Sequence, residues 1–268
     1  MSEKVLDLIR SSEMVGPQIY GNMAVTGLVN QDAENYGDIL STNLALEMGF
    51  LQVAETGNVP QLNFNATRPT LVRSGEAVLG GGKQDRIVRR SAVHEGNRGV
   101  DVFCIEAGRW SPSDTNWIHI DTPVSLRRAI LHGASQHDVW NRVQTMLGRV
   151  GVQSSTNALG AVYQALQYDF QWKADKFKIV DDQVGMIVTI NGEVAGCEYF
   201  GDQMCFSRDW KSILGNSYVP EVQENYEENM SMKAVQSGVS QFLGELASGG
   251  RAAEVVQYNG EVVYACAV

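Results

Sequence analysis

The chain has 268 residues and carries 21 Lys and Arg against 31 Asp and Glu, a formal charge of −10. That balance argues against nucleic acid as a main partner, because a phosphate backbone selects clustered cations. Hydrophobic residues make up 44%, enough for a core, and 27 Gly beside only 6 Pro mark tight turns between ordered elements, not a disordered linker.

Residues 1 to 12 predict a short amphipathic helix with Val5, Leu8 and Ile9 on one stripe, ended by Gly16-Pro17. Mixed charges deny this stretch a signal-peptide core. No apolar run reaches about 18 residues, so no transmembrane helix is expected and the chain reads as intracellular, in the cytoplasm. Met23 to Val29 reads as a strand, and a polar loop follows from Asn30 to Asp38. Ser41 is placed to cap a helix containing Leu44, Leu46 and Met48, which stops at Gly49. From Phe50 to Ile105 the texture is β, with short runs such as Leu62-Asn63-Phe64, Thr70-Leu71-Val72 and Val100 to Ile105. That spacing suggests a sandwich or barrel-like sheet.

The period turns helical at Asp121-Thr122-Pro123, where a capping oxygen precedes Pro in the first turn. Val139, Val143, Leu147 and Val150 continue it, and Ser154 or Ser155 opens a further helix with Leu159, Val162, Tyr163 and Leu166. Two hairpins give the strongest local signal. Met186 to Ile190 runs into Asn191-Gly192 and then Glu193 to Phe200, and Glu254 to Tyr258 runs into Asn259-Gly260 and then Glu261 to Val268. Asn-Gly supplies the two positive φ angles of a type I′ turn. Between the hairpins, Glu221 to Leu246 reads as a long helix. The fold class is α+β: a β-rich core, a helical middle, and a C-terminal helix plus hairpin. A single domain is expected.

Cys104, Cys197, Cys205 and Cys266 form no C-x-x-C pair, and His132 and His137 are five apart, so no metal site is expected. Cofactors are expected to be none. The densest polar stretch is Gly80-Gly81-Gly82-Lys83-Gln84-Asp85-Arg86. Its glycines expose backbone N–H groups and its cations suit an anion, although Ala77 and Gln84 exclude a Walker A loop. The alternative is a tight turn with solvated charges. A second stretch, Cys104-Ile105-Glu106-Ala107-Gly108-Arg109-Trp110, joins a carboxylate, a guanidinium fork and an aromatic face. Its alternative is a structural Arg–Glu pair beside a core tryptophan. Arg86, Arg89 and Arg90 can also be charges guarding a sheet edge.

These segments carry a resemblance. Gly75-Glu76, Gly-Gly-Lys-Gln-Asp-Arg at 81 to 86, Cys-Ile-Glu at 104 to 106 and Gly-Arg-Trp at 108 to 110 resemble the ARPP-1 family, the ADP-ribosylglycohydrolase and rhodanese-phosphatase associated proteins. Glu55, Val59-Pro60, Leu62, Val184-Gly185, Gly192, Phe200, Trp210 and Tyr218 extend it to a core of about 15–220, with 221–268 as an extension. Ala107 stands where the family has a polar residue. The resemblance implies a small nucleotide ligand of the ADP-ribose or NAD class, including cyclic signalling derivatives, held by Gly81, Gly82, Lys83, Gln84, Asp85, Arg86, Glu106, Arg109 and Trp110. Sequestration is the leading expectation. Conversion of the ligand, with Glu76, Asp85 and Glu106 doing acid–base work, is the alternative, and a structural or assembly role is the third. Catalytic residues stay unknown. Charged residues at 19%, against a usual value of about 25%, lead to an expectation of homo-oligomers.

Overall fold

The computed structural model describes residues 1–33, 38–81, 83–109, 117–222 and 229–268. In chain order its helices are α1 Ser2–Arg10, α2 Thr42–Glu47, α3 Val124–Leu131, α4 Gln136–Arg149, α5 Gly160–Ala174, α6 Gln203–Ile213 and α7 Met232–Ala247. Its strands are β1 Glu13–Tyr20, β2 Met23–Val29, β3 Leu40–Ser41, β4 Leu51–Glu55, β5 Gln61–Val72, β6 Glu76–Leu79, β7 Arg86–Val88, β8 Ala92–Cys104, β9 Ile118–Asp121, β10 Gln183–Ile190, β11 Glu193–Phe200, β12 Ala253–Tyr258 and β13 Glu261–Ala267. The architecture is α+β, as the sequence predicts. The chain gathers into two compact units, Met1–Gly37 with Phe170–Val268, and Asp38–Asp169.

The first unit is built on an antiparallel sheet of order β1-β2-β10-β11-β13-β12. Every position of β2 and β10 is buried, because helices cover both faces. On one face Val5 and Ile9 of α1 and Phe242 and Leu246 of α7 pack with Leu28, Ile187, Cys197 and Ala265. On the other, Phe206 of α6 lies 5.8 Å from Phe200, which meets Tyr264 at 5.2 Å. Each of the Val, Leu, Ile and Phe side chains among them, fully buried, contributes about 1.5–3 kcal/mol. Both Asn-Gly turns form as predicted: φ is 55° and 84° at Asn191 and Gly192, and 52° and 92° at Asn259 and Gly260.

The second unit carries a sheet of order β3-β5-β8-β7-β6-β9, with β4 also on β5, curled into a half-barrel. The bend follows from two long strands, β5 and β8, whose register shifts between Ala66 and Thr70. Leu62, Phe64, Val72, Val78, Val88, Val100 and Val102 fill its inner face. At the end of β8 the Gln136 amide clamps Cys104, accepting from its N–H and donating to its carbonyl, both at 2.8 Å.

Several elements differ from expectation. Gly16-Pro17 does not end the first helix, which stops at Arg10; it sits inside β1, at a register shift on the sheet edge, where a missing N–H is tolerated. The helix expected from Glu221 begins at Met232, where the Ser231 side chain accepts from the Ala234 N–H. Helix α6 lies outside the expected elements, although Asp202 caps it by accepting from Met204 and Cys205 N–H. Helix α5 starts at Gly160, while Ser154 accepts from Ala158 N–H in the turn before it. The C-terminal hairpin, expected as an extension, pairs β13 onto β11 within the first unit's sheet. Among the described residues no helix is long and apolar enough to cross a membrane.

Candidate functional site

Strand pairing brings the two polar segments together. Arg86 lies opposite Cys104, so the residues just outside the pair, Asp85 and Ile105, also meet, with Ile105 N–H donating to Asp85 O at 3.1 Å. Beyond that point Glu106 becomes a bracket. Its Oε2 accepts from Asp85 N–H at 3.2 Å and from Arg109 Nε at 2.8 Å, and its Oε1 accepts from Thr156 Oγ1 at 2.8 Å. The Arg109 fork then reaches back to the glycine turn. Nη1 donates to Gly81 O at 3.1 Å, and Nη2 to Gly80 O at 3.0 Å and to Asp85 Oδ1 at 3.2 Å. Gly80 N–H donates to the same Asp85 oxygen at 2.9 Å.

One guanidinium therefore joins two carboxylates and two carbonyls, a geometry that only a planar fork supports. Burial pushes the Asp85 carboxyl above its ordinary range, and the Glu106 charge adds to this; the Gly80 N–H and Arg109 oppose it. Gly81 has φ +27°, and a Cβ there would run into the Trp117 indole. Trp117, half-buried, packs on the half-barrel core. It is an aromatic neighbour of the turn that no spacing rule singles out. Lys83 is exposed at the surface. Gly82 and Trp110 lie outside the described residues.

The remaining predicted residues face inward. Gln84 and Arg86 are fully buried, and Arg86 Nη1 donates to Gln84 Oε1 at 3.3 Å. Arg86 Nη2 stands 3.6 Å from Glu55 Oε2. An exposed edge charge does not describe Arg86, whereas Arg89 lies over the Phe103 ring at 4.4 Å.

A second buried polar cluster centres on Glu76, the third acid–base candidate of the conversion alternative, which the structure sets in this separate cluster and not with Asp85 and Glu106. Its Oε2 accepts from Thr42 Oγ1 at 2.5 Å and from Arg73 N–H at 3.0 Å. Its Oε1 accepts from Arg73 Nε at 2.7 Å, and Arg73 Nη2 donates to Asp121 Oδ1 at 2.8 Å. The pairing of β6 with β9 sets Glu76 opposite Asp121 and brings His119 Nε2 to 3.4 Å from Glu76 Oε1, an ion-pair separation without an aligned hydrogen bond. Burial opposes ionisation of Glu76, but the Arg73 and His119 charges outweigh it and hold the carboxyl at about 2. Burial likewise opposes charge on His119, and the Glu76 and Asp121 carboxylates overcome it, so its pKa is raised. Glu76, His119 and Asp121 offer ligand atoms within 4.8 Å of one another, a set that can hold a metal ion. Arg73 bridges the two carboxylates, and with a protonated His119 the charges already balance.

Elsewhere in this unit an open pocket of about 440 Å³ is lined by His132 of the turn after α3 and by Asp138, Asn141 and Arg142 of α4. Its acid–base candidates have local duties. Asp138 completes a capping box with Ser135, and His132 Nδ1 is 2.9 Å from Arg128 O. The four cysteines are free thiols; burial pushes Cys104 up and Cys205 up to about 12, so neither is an activated nucleophile.

The chain matches the model of the ARPP-1 family, the ARG and Rhodanese-Phosphatase-superfamily-associated Protein domain, over residues 11–264. It belongs to this family, and the match runs beyond the expected core, into the last strand of the C-terminal hairpin. Neither a search of curated proteins nor a search of solved structures found a match.

Proposed function

We propose that the chain binds a small ADP-ribose-type nucleotide, cyclic derivatives included, at the Gly80–Arg86 turn and the Glu106–Arg109 segment. The observation that carries this reading is the Arg109 fork, which ties the carbonyls of Gly80 and Gly81 to Asp85 and Glu106. It fixes a glycine turn beside an exposed Lys83 and the Trp117 ring. Arg109 is a positioning residue here: its N–H groups hold the turn, and Lys83 meets the pyrophosphate by charge-assisted contact. The family's association with ARG proteins supports this ligand class.

One observation favours a second reading, conversion of the ligand. Asp85 and Glu106 share Arg109, and burial raises the Asp85 carboxyl above its ordinary range, the direction a proton donor beside a second carboxyl group needs. A single experiment separates the two. The protein is incubated with ADP-ribose, NAD and cyclic ADP-ribose, separated from free ligand, denatured, and the released material is weighed by mass spectrometry. Intact ligand supports binding, altered ligand supports conversion, and no associated ligand removes both.

A further inference from the structure

The inner end of the half-barrel holds hydrogen-bonding capacity that the described residues leave unused. Glu55 pairs with Leu62, which pairs with Val100, and Arg86 pairs with Cys104, two residues beyond Val102. By strand alternation Glu55 and Arg86 therefore share the face that carries Leu62, Val100 and Val102 of the core. Gln84 and Arg86 are both 0% exposed. After the contacts among these three side chains, Nε and Nη2 of Arg86, Nε2 of Gln84 and Oε1 of Glu55 have no hydrogen-bond partner among the described residues. Buried polar groups are nearly always paired, and unpaired ones are costly, so such a concentration calls for a partner from outside these side chains.

We propose that Glu55, Gln84 and Arg86 form a pocket for a planar, neutral group with a hydrogen-bond acceptor beside a donor, the edge of a carboxamide or of a nucleobase. The acceptor meets Arg86 and Gln84, and the donor meets Glu55 Oε1. Charge selects the neutral group: Arg86 and Glu55 balance each other, and a phosphate would leave an uncompensated negative charge in a dry interior. Glu55, with 22% of its side chain exposed, is the wall that meets solvent. The assignment rests on the nucleotide reading for the source of such an edge, and places the base or carboxamide inward of Lys83.

The test is calorimetric titration of the full chain with nicotinamide, adenosine and inorganic phosphate, with ADP-ribose in parallel, in wild type, Glu55→Gln, Gln84→Met and Lys83→Ala. Nicotinamide and adenosine separate the two sources of the edge. At least one of them is expected to bind wild type, with Glu55→Gln and Gln84→Met each weakening it about tenfold and phosphate failing to displace it. Gln84→Met leaves the Arg86–Glu55 pair in place, so a Glu55→Gln protein that fails to fold still leaves a decisive variant. Absence of binding by both probes, wild-type affinity in Gln84→Met, or displacement by phosphate overturns the pocket. ADP-ribose binding that depends on Lys83 but not on Gln84 or Glu55 overturns the pocket and keeps the nucleotide reading. Probe binding that depends on Gln84 with no ADP-ribose binding keeps the pocket and removes the nucleotide reading.

Discussion

The two units bury their strands in different chemistry. In the sheet of the first unit, β2 and β10 are shielded by helices on both faces, and on one face the apolar Val5, Ile9, Phe242 and Leu246 of the helices pack on Leu28 and Ile187 of the strands. Its buried carboxylates among the described residues are Glu198, Asp202 and Asp209, and Glu198 accepts from two tyrosine hydroxyls, Tyr218 at 2.7 Å and Tyr264 at 2.6 Å. In the half-barrel, Arg73, Glu76, Asp85, Arg86, Glu106 and Asp121 are all buried within or beside the sheet. Apolar burial is non-directional and stabilises in proportion to area. Buried charge is expensive, and replacing it with packed apolar residues is often neutral or favourable. A fold that keeps so much charge inside one unit is keeping geometry, which is why the candidate site is assigned there.

Truncation tests this contrast most strongly. Arg73→Ala leaves Glu76 and Asp121 without their shared partner and should cost about 3–5 kcal/mol in urea unfolding. Phe242→Ala in the other unit should cost a similar amount, about 3–5 kcal/mol, through a cavity. The two part company on binding: in folded protein Phe242→Ala should leave ADP-ribose affinity unchanged. A drop in affinity there would break the assignment of function to one unit.

Arg109→Lys keeps the charge and loses the fork. It should lower ADP-ribose affinity by about 1.5–3 kcal/mol in calorimetry, because a single ammonium cannot serve Gly80, Gly81, Asp85 and Glu106 together. Wild-type affinity in this variant would reduce the turn to a structural device.

The pH dependence separates the units further. The pKa of His119 is raised by folding, so its contribution to stability is complete below 6.5 and is lost as pH rises through the folded value. The pKa of Glu76 is depressed from 4.5 to about 2, so its contribution is present above 4.5 and fades as pH falls toward 2. Urea midpoints should therefore decline on the alkaline side of 6.5, and His119→Gln should flatten that decline. An unchanged alkaline slope in the variant would show that His119 is neutral in the folded state. The smallest effect belongs to the first unit: Ser231→Ala removes the cap of α7 and should cost about 1 kcal/mol in the same assay.

Local chemistry determined a good deal by itself. Asn191-Gly192 and Asn259-Gly260 give two-residue turns because adjacent residues alone meet the demand for positive φ. Met23–Val29 is legible as a strand from its own side chains. The glycine turn and the Gly-Arg segment stand out because small and charged residues cluster within a few positions. Tertiary structure decided the rest. Pro17 in β1 is acceptable only because that strand lies on an edge, a fact of sheet order. Arg86 in a basic stretch looks like a surface charge until β7 is set between β6 and β8, which turns it inward toward Glu55, a residue 31 positions away. Thr42 with Glu76, Arg73 with Asp121 and Thr156 with Glu106 are likewise pairs made by folding. Turn preference is a property of neighbours along the chain. The partner of a buried charge is a property of neighbours in space, and only strand register assigns it.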